Sequence, residues 1–343
     1  MYNLKETQDS NGHDAIELLA IAKNVIADEN QPNDIRAKAY LEQYRCLEKL
    51  NENDLDSLDK ALELQPNMPE ILMEKCLQLS GETHIDSDSF LEHLREINAN
   101  SGSLMNYLYK IIETTPSYAQ AYLLRAKIHQ AFDNEFALQA DIQKYISLEP
   151  YSYKGYSVMA TYLYTKMFDE DFVNFPISIY NEVIYYMSKA FEYGEIIAYY
   201  WYYLDRFLVY YFRYINYNVD GDFEMAANDF TSFLMRIEED RCIDCFAFYE
   251  NIFPEMLDYD IFRLIPSEQW ERIVNLVISK TDKKSEIYFI VNIFLAKVYQ
   301  LFDNNKERAI GILAPLMDDL RKDNDYLVET PELLEYFLKD RDD

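Results

Sequence analysis

Cys242 and Cys245 form the one Cys-x-x-Cys spacing in the chain. Two thiols so placed can cycle between dithiol and disulfide, or supply half of a tetrahedral zinc site. The first use needs a helix N-terminus, usually beside a strand–helix unit, and the second needs two further ligands at matched spacing. Neither pattern is present, and Glu238, Glu239 and Asp240 just upstream would raise a thiol pKa. The two cysteines therefore read as packing residues. His13, His84, His93 and His129 contain no His-x-x-x-His pair, which leaves a metal centre without support. Asp169, Glu170 and Asp171 could donate to a hard cation, but they lack the alternation and the glycine of a calcium loop, so a solvated loop is the default. The sequence has no phosphate loop and no Gly-x-Ser-x-Gly elbow, and no acid–base pair stands out among 61 carboxylates. The reading is of a protein without catalysis, metal or cofactor.

The remaining chemistry is that of contact. Seventeen of the 31 tyrosines lie between residues 151 and 217. Tyrosine joins a large apolar body to a hydrogen-bonding tip and suits binding surfaces, although a tyrosine stripe at helical spacing equally suits packing between helices. The formal charge of −29 opposes general binding to nucleic-acid phosphates or to an anionic membrane. A basic partner is favoured, or else the acidity serves only to keep an aromatic-rich chain in solution. Acidic and basic side chains number 22 and 10 over residues 1–116 and 28 and 14 over 220–343, but 11 and 8 over 117–219, so the middle is nearly neutral.

The elements that carry these residues are predicted to be helices. Seven glycines and ten prolines are too few for the turns of many short strands. The most apolar run, Ile196 to Tyr217, is interrupted by Asp205, Arg206 and Arg213, and reads as a buried helix rather than a membrane span. No basic region followed by an apolar run opens the chain, and four cysteines fit a reducing compartment, so a cytoplasmic location is expected.

Proline recurs with a fixed period: Pro32 to Pro66 is 34 residues, and Pro116 to Pro150 is 34 again. Residues 121–150 place Tyr122, then Ala126, a turn at Asp133 and Asn134, a second amphipathic helix and a closing proline. This resembles the tetratricopeptide repeat family. Further copies carry the same layout: DKALELQP with Ala61 and Pro66, and a helix with Leu72, Cys76 and Leu79 whose partner resumes as SLMNYLYKIIETTP. Tyr156, Met159, Ala160 and Leu163 open another copy, which NEVIYYMSKAFEYG closes. Trp201, Leu204 and Leu208 are followed by Gly221, Phe223, Ala226, Phe230 and Phe233, with Asp205 departing from the pattern at a usually small position. Leu295, Ala296, Tyr299, Ala309 and Leu313 make the last copy.

The resemblance covers about two thirds of the chain and implies an all-α fold, a right-handed superhelix of stacked antiparallel helix pairs. It divides the chain into an N-terminal capping helix over 1–36, with its helix near 10 to 31, and an irregular array over 37–238 with insertions near 82–101 and 167–178. A divergent helical segment over 239–285 follows. Residues 286–343 carry the last hairpin and a C-terminal capping helix with Thr330 as its N-cap. It also implies a concave groove lined by Lys127 and Gln130, by Lys154 and Tyr164, by Tyr199, Tyr202, Arg206 and Tyr210, and by Lys297. Such a groove would hold another protein or a peptide. The recurring cations Lys127, Arg206 and Lys297 suit a carboxylate-bearing peptide, or alternatively pair with acids of the same array. The implied function is a non-catalytic scaffold: an immunity, inhibitor or chaperone protein for a basic partner, or a regulator that senses a short peptide.

Overall fold

Three prolines, Pro66, Pro116 and Pro150, end helices in the same way. A residue before proline is pushed out of the helical region by the pyrrolidine ring. Accordingly Gln65 (φ −140°, ψ 77°), Thr115 (φ −140°, ψ 79°) and Glu149 (φ −128°, ψ 67°) adopt nearly one conformation. Each still donates its amide to the carbonyl four residues back, Gln65 to Ala61 at 3.0 Å, Thr115 to Ile111 at 2.7 Å and Glu149 to Tyr145 at 2.8 Å. Its own carbonyl then accepts from the amide three residues on, in Met68, Tyr118 and Ser152 respectively. After two of the turns a tyrosine hydroxyl fastens the next helix to the proline carbonyl, Tyr122 to Pro116 at 3.1 Å and Tyr156 to Pro150 at 3.0 Å.

A computed structural model describes residues 4–52, 54–81, 88–99, 102–194, 201–241, 260–281 and 285–323. The chain is all-α: these residues form fifteen α-helices and one short 3-10 turn, with no strand among them. Two compact units divide at Val158 and Met159.

The first unit contains α1 (Leu4–Ala27), α2 (Asn33–Lys49), α3 (Leu55–Leu64), α4 (Pro69–Ser80), α5 (Asp88–Glu96), α6 (Ser103–Thr114), α7 (Ala119–Ala131), α8 (Glu135–Leu148) and the start of α9 (Tyr153–Asp169). The helix near the N-terminus thus runs over 4–27 rather than 10–31, and α2 starts within residues 1–36. Asp54 and Asn134 start α3 and α8 by accepting amide hydrogens from Ser57 and Ala137, as short polar N-caps do. Successive helices pack on one another from α1 to α4, and α4 packs on α6, α6 on α7 and α7 on α8. Ala37, Leu41, Leu58, Ala61 and Ile71 form one core. Leu72, Cys76, Leu104, Leu108, Leu124 and Ile128 belong to a second, which also takes in Phe90 and Leu94 of α5. The insertion expected near 82–101 therefore contributes a helix, α5, that packs on α7.

The second unit contains the rest of α9, then α10 (Ile177–Tyr193), α11 (Trp201–Tyr217), α12 (Asp222–Arg241), α13 (Ser267–Ile278), α14 (Glu286–Leu301) and α15 (Lys306–Asp323). Helix α10 packs on α11, α11 on α12, α12 on α13 and α14, and α14 on α15. Its centre is aromatic: Trp270 lies 5.4 Å from Phe207, 5.6 Å from Phe230 and 4.8 Å from Phe294 between ring centroids. The Trp270 indole donates to the Phe262 carbonyl, so burial leaves its N–H satisfied. Helix α11 is the interrupted apolar run of the sequence, and no helix among the described residues is long and apolar enough to cross a membrane. The capping helix expected from Thr330 lies outside the described residues, as does most of the segment 239–259.

One contact shows how successive helices adjust to each other. The residue five before proline is Ala61 in one turn and Tyr145 in another, and the larger ring needs room. Gly155 of α9 supplies it, since a Cβ there would lie 2.6 Å from Tyr145 Cδ1. Helix propensity alone would make Gly155→Ala stabilising by about 1 kcal/mol, whereas the clash predicts the opposite sign, a loss of about 1–3 kcal/mol. Chemical denaturation of the full chain decides between them, and the loss is expected to shrink in a Tyr145→Ala background.

Candidate functional site

Arg206, Tyr210 and Arg213 lie at i, i+4 and i+7 on α11 and so share one face. Helix α12 runs antiparallel beside it, with Asp222 and Asp229 also seven residues apart. The register brings the pairs together. Arg206 Nε and Nη2 donate to the two carboxylate oxygens of Asp229, both at 2.7 Å, and Arg213 makes the same bidentate pair with Asp222. The third nitrogen of each guanidinium crosses to α10, Arg206 Nη1 to Ser188 Oγ at 3.1 Å and Arg213 Nη1 to Asn181 Oδ1 at 2.5 Å. Ser188 and Asn181 are again seven apart. The result is a two-rung ladder across three helices, with the Tyr210 ring 5.9 Å from one guanidinium carbon and 5.6 Å from the other. Phe191 covers Arg206 from the other direction at 4.5 Å. Burial pushes the Asp229 carboxyl above its ordinary pKa, an effect that the Arg206 hydrogen bonds offset only in part.

The residues that the family resemblance directs into a groove have varied surroundings. Lys127, Gln130, Tyr202, Tyr210 and Lys297 are buried. Helix α5 lies over the second half of α7: Lys127 Nζ sits 5.8 Å above the Phe90 ring, and Arg95 Nε donates to the Ala131 carbonyl at 2.6 Å. Tyr202 meets the Phe191 ring edge-on at 5.4 Å. Arg206 is a rung of the ladder, so for this cation the pairing with an acid of the same chain is realised, and a carboxylate ligand would have to displace Asp229. Lys154 and Tyr164 are half-buried, and Tyr164 touches Phe168 and Phe172. Tyr199 lies outside the described residues. Sequence reasoning passed over Asp222, Asp229, Asn181 and Ser188. The signal that could have found them is the shared seven-residue spacing of Arg206 and Arg213 with the acids of the following helix.

A second buried polar cluster occupies the first unit. Arg125 of α7 holds Asp141 of α8 through bonds of 2.8 and 2.6 Å, with His129 Nε2 3.7 Å from the same carboxylate. The His129 Nδ1 is buried with no hydrogen-bond partner. Burial holds the His129 pKa below its ordinary 6.5; Asp141 counteracts this and Arg125 adds to it.

Cys46 and Cys76 are buried free thiols, and burial pushes Cys76 up to about 12, which removes it as a nucleophile at neutral pH. Cys242 and Cys245 lie outside the described residues. Among the described residues no three or more His, Cys, Asp or Glu side chains are placed to hold a metal ion. No known family model matches the chain, and no curated protein does.

Two outcomes follow from these clusters. Arg206→Met strands a buried carboxylate and is expected to destabilise the protein by about 3–5 kcal/mol, while the Arg206→Met/Asp229→Leu pair recovers most of it; urea denaturation of the three proteins measures both. A lowered histidine pKa in the folded state means that the unfolded chain takes up a proton first as pH falls. The neutral-His129 contribution is therefore full above pH 6.5 and is lost as pH drops through the lower folded value. The thermal midpoint should fall over this range, and less steeply in His129→Gln.

Proposed function

We propose that the chain is a non-catalytic, protein-binding array of tetratricopeptide-like helical hairpins whose partner is a basic polypeptide. The observation that carries this reading is the thrice-repeated proline turn, with one cap conformation and a tyrosine–proline hydrogen bond at two of the turns. A hairpin of this kind cannot bury its apolar face alone, so hairpins stack and offer extended surface rather than an enclosed pocket. Stacking of antiparallel pairs into a right-handed superhelix is part of the proposal. The charge of −29 selects the sign of the partner and speeds its encounter. Neutralising a basic toxin and escorting a basic secreted protein are both roles of this type. The engagement of Arg206 by Asp229 weighs for a protein partner and against a regulator that reads a peptide carboxylate at this position.

Affinity capture on the tagged full chain at physiological salt, then reconstitution from purified components, tests the reading. The expected result is a discrete complex with a basic protein whose affinity falls as salt rises. Failure of every captured protein to reconstitute a defined complex would overturn it.

A further inference from the structure

The loop between α9 and α10 is costly to build and firmly held. Asp171, Phe172 and Asn174 all have left-handed φ, at 51°, 57° and 67°, although none is glycine. The Phe172 ring is fully buried, stacked 5.0 Å from Phe212. The Phe172 carbonyl accepts from Asn216 Nδ2 at 3.0 Å and from the Tyr180 hydroxyl. One residue further along α11, the Tyr217 hydroxyl donates to the Phe175 carbonyl at 2.5 Å. This ties the loop to the end of α11 and hence to the α11–α12 turn.

On this fixed frame stand side chains that the protein itself does not cover. Val173 is 47% exposed, Ile177 39% and Tyr217 41%. Tyr217 bonds to the Phe175 carbonyl, which lies between Val173 and Ile177 in the chain, and this brings its hydroxyl to the segment that carries the other two. Exposed acids neighbour these residues in the chain: Asp169 at the end of α9, Glu170 and Asp171 on the loop and Asp220 on the α11–α12 turn. Arg213 is neutralised by Asp222 and only 13% exposed. Two exposed cations stand near this end, Lys166 one turn back on α9 over the Tyr162 ring and Arg272 of α13 over the Phe223 ring at the start of α12.

We infer that this end of the second unit, an apolar centre of Val173, Ile177 and Tyr217 inside an acidic rim, docks a basic amphipathic segment of another protein. The inference rests on the reading of the chain as a holder of a basic polypeptide, and it places that contact on the α9–α10 loop and the helix ends that adjoin it. Charge selects the occupant. A second copy would bring two acidic rims together, and anionic lipid or nucleic acid is repelled in the same way. An apolar anchor flanked by lysine or arginine satisfies both the centre and the rim, and the preset loop limits the ordering cost of binding.

The test uses the full chain and a synthetic amphipathic Lys–Leu peptide as probe, with a Lys–Ser peptide of equal length and charge beside it. One variant removes the centre, Val173→Ser with Ile177→Ser. A second reverses the rim, Asp169→Lys and Glu170→Lys with Asp171→Asn, since asparagine tolerates left-handed φ. A control reverses exposed acids of the first unit, Glu29→Lys with Glu63→Lys. All the substituted side chains are exposed, and unchanged thermal midpoints verify the fold. Either site variant should weaken the Lys–Leu peptide about tenfold, as loss of a central anchor or of charge complementarity does, while the control changes it less than about twofold. Equal weakening by the control, equal affinity for the Lys–Ser peptide, or indifference to the serine substitutions overturns the inference. So does a wild-type dimer that Ile177→Ser makes monomeric. A reconstituted natural partner that binds both site variants as well as wild type also overturns this surface, and leaves the broader reading of the protein standing.

Discussion

Proline has no amide hydrogen to give a helix, and its ring forces the residue before it into extended backbone. That one constraint ends three helices of the first unit, α3, α6 and α8. Where Gln65, Thr115 and Glu149 meet it, the chain leaves one helix, turns through the same few residues and starts the next. Everything built on the turns inherits their spacing: alanine where helices approach closely, tyrosine hydroxyls reaching back to proline carbonyls, and apolar faces that only a neighbouring helix can cover. Where Tyr145 stands in the place that Ala61 takes in the first turn, a glycine opposite makes room for it.

The second unit is joined differently. Its centre is a set of packed aromatic rings, whose hydrophobic attraction does not fix one register, and the Arg206 and Arg213 ladder adds direction to that contact. A buried bidentate pair adds little net stability over a well-packed apolar pair, but a mispaired register would leave four charges buried and alone, which is far more costly. Bonds to Ser188 and Asn181 extend the same control to α10. The α9–α10 loop, which carries the exposed Val173, is held by hydrogen bonds from Asn216 and Tyr217.

The helices and their boundaries were largely legible in the amino acids, because proline, N-capping Asp54 and Asn134, and apolar periodicity are local signals. The α5 helix was not, since nine residues inside an insertion carry too few turns to show a period. The candidate site was legible only in part. Recurring cations and tyrosines could be picked out by type and spacing, but not their partners. Arg206 reads the same from sequence whether it faces solvent or Asp229, 23 residues away.

Composition and periodicity alone therefore established an acidic, helical chain with proline-bounded hairpins. These follow from interactions within a few turns, which a sequence displays directly. Tertiary structure decided that α5 would cover α7, that the arginines of α11 would be answered by aspartates of α12, and that Tyr217 at the end of α11 would bond to the α9–α10 loop. Each of those outcomes depends on which face a helix turns toward a neighbour and on how far two helices slide past each other. Packing of whole faces sets both, and no single residue announces it.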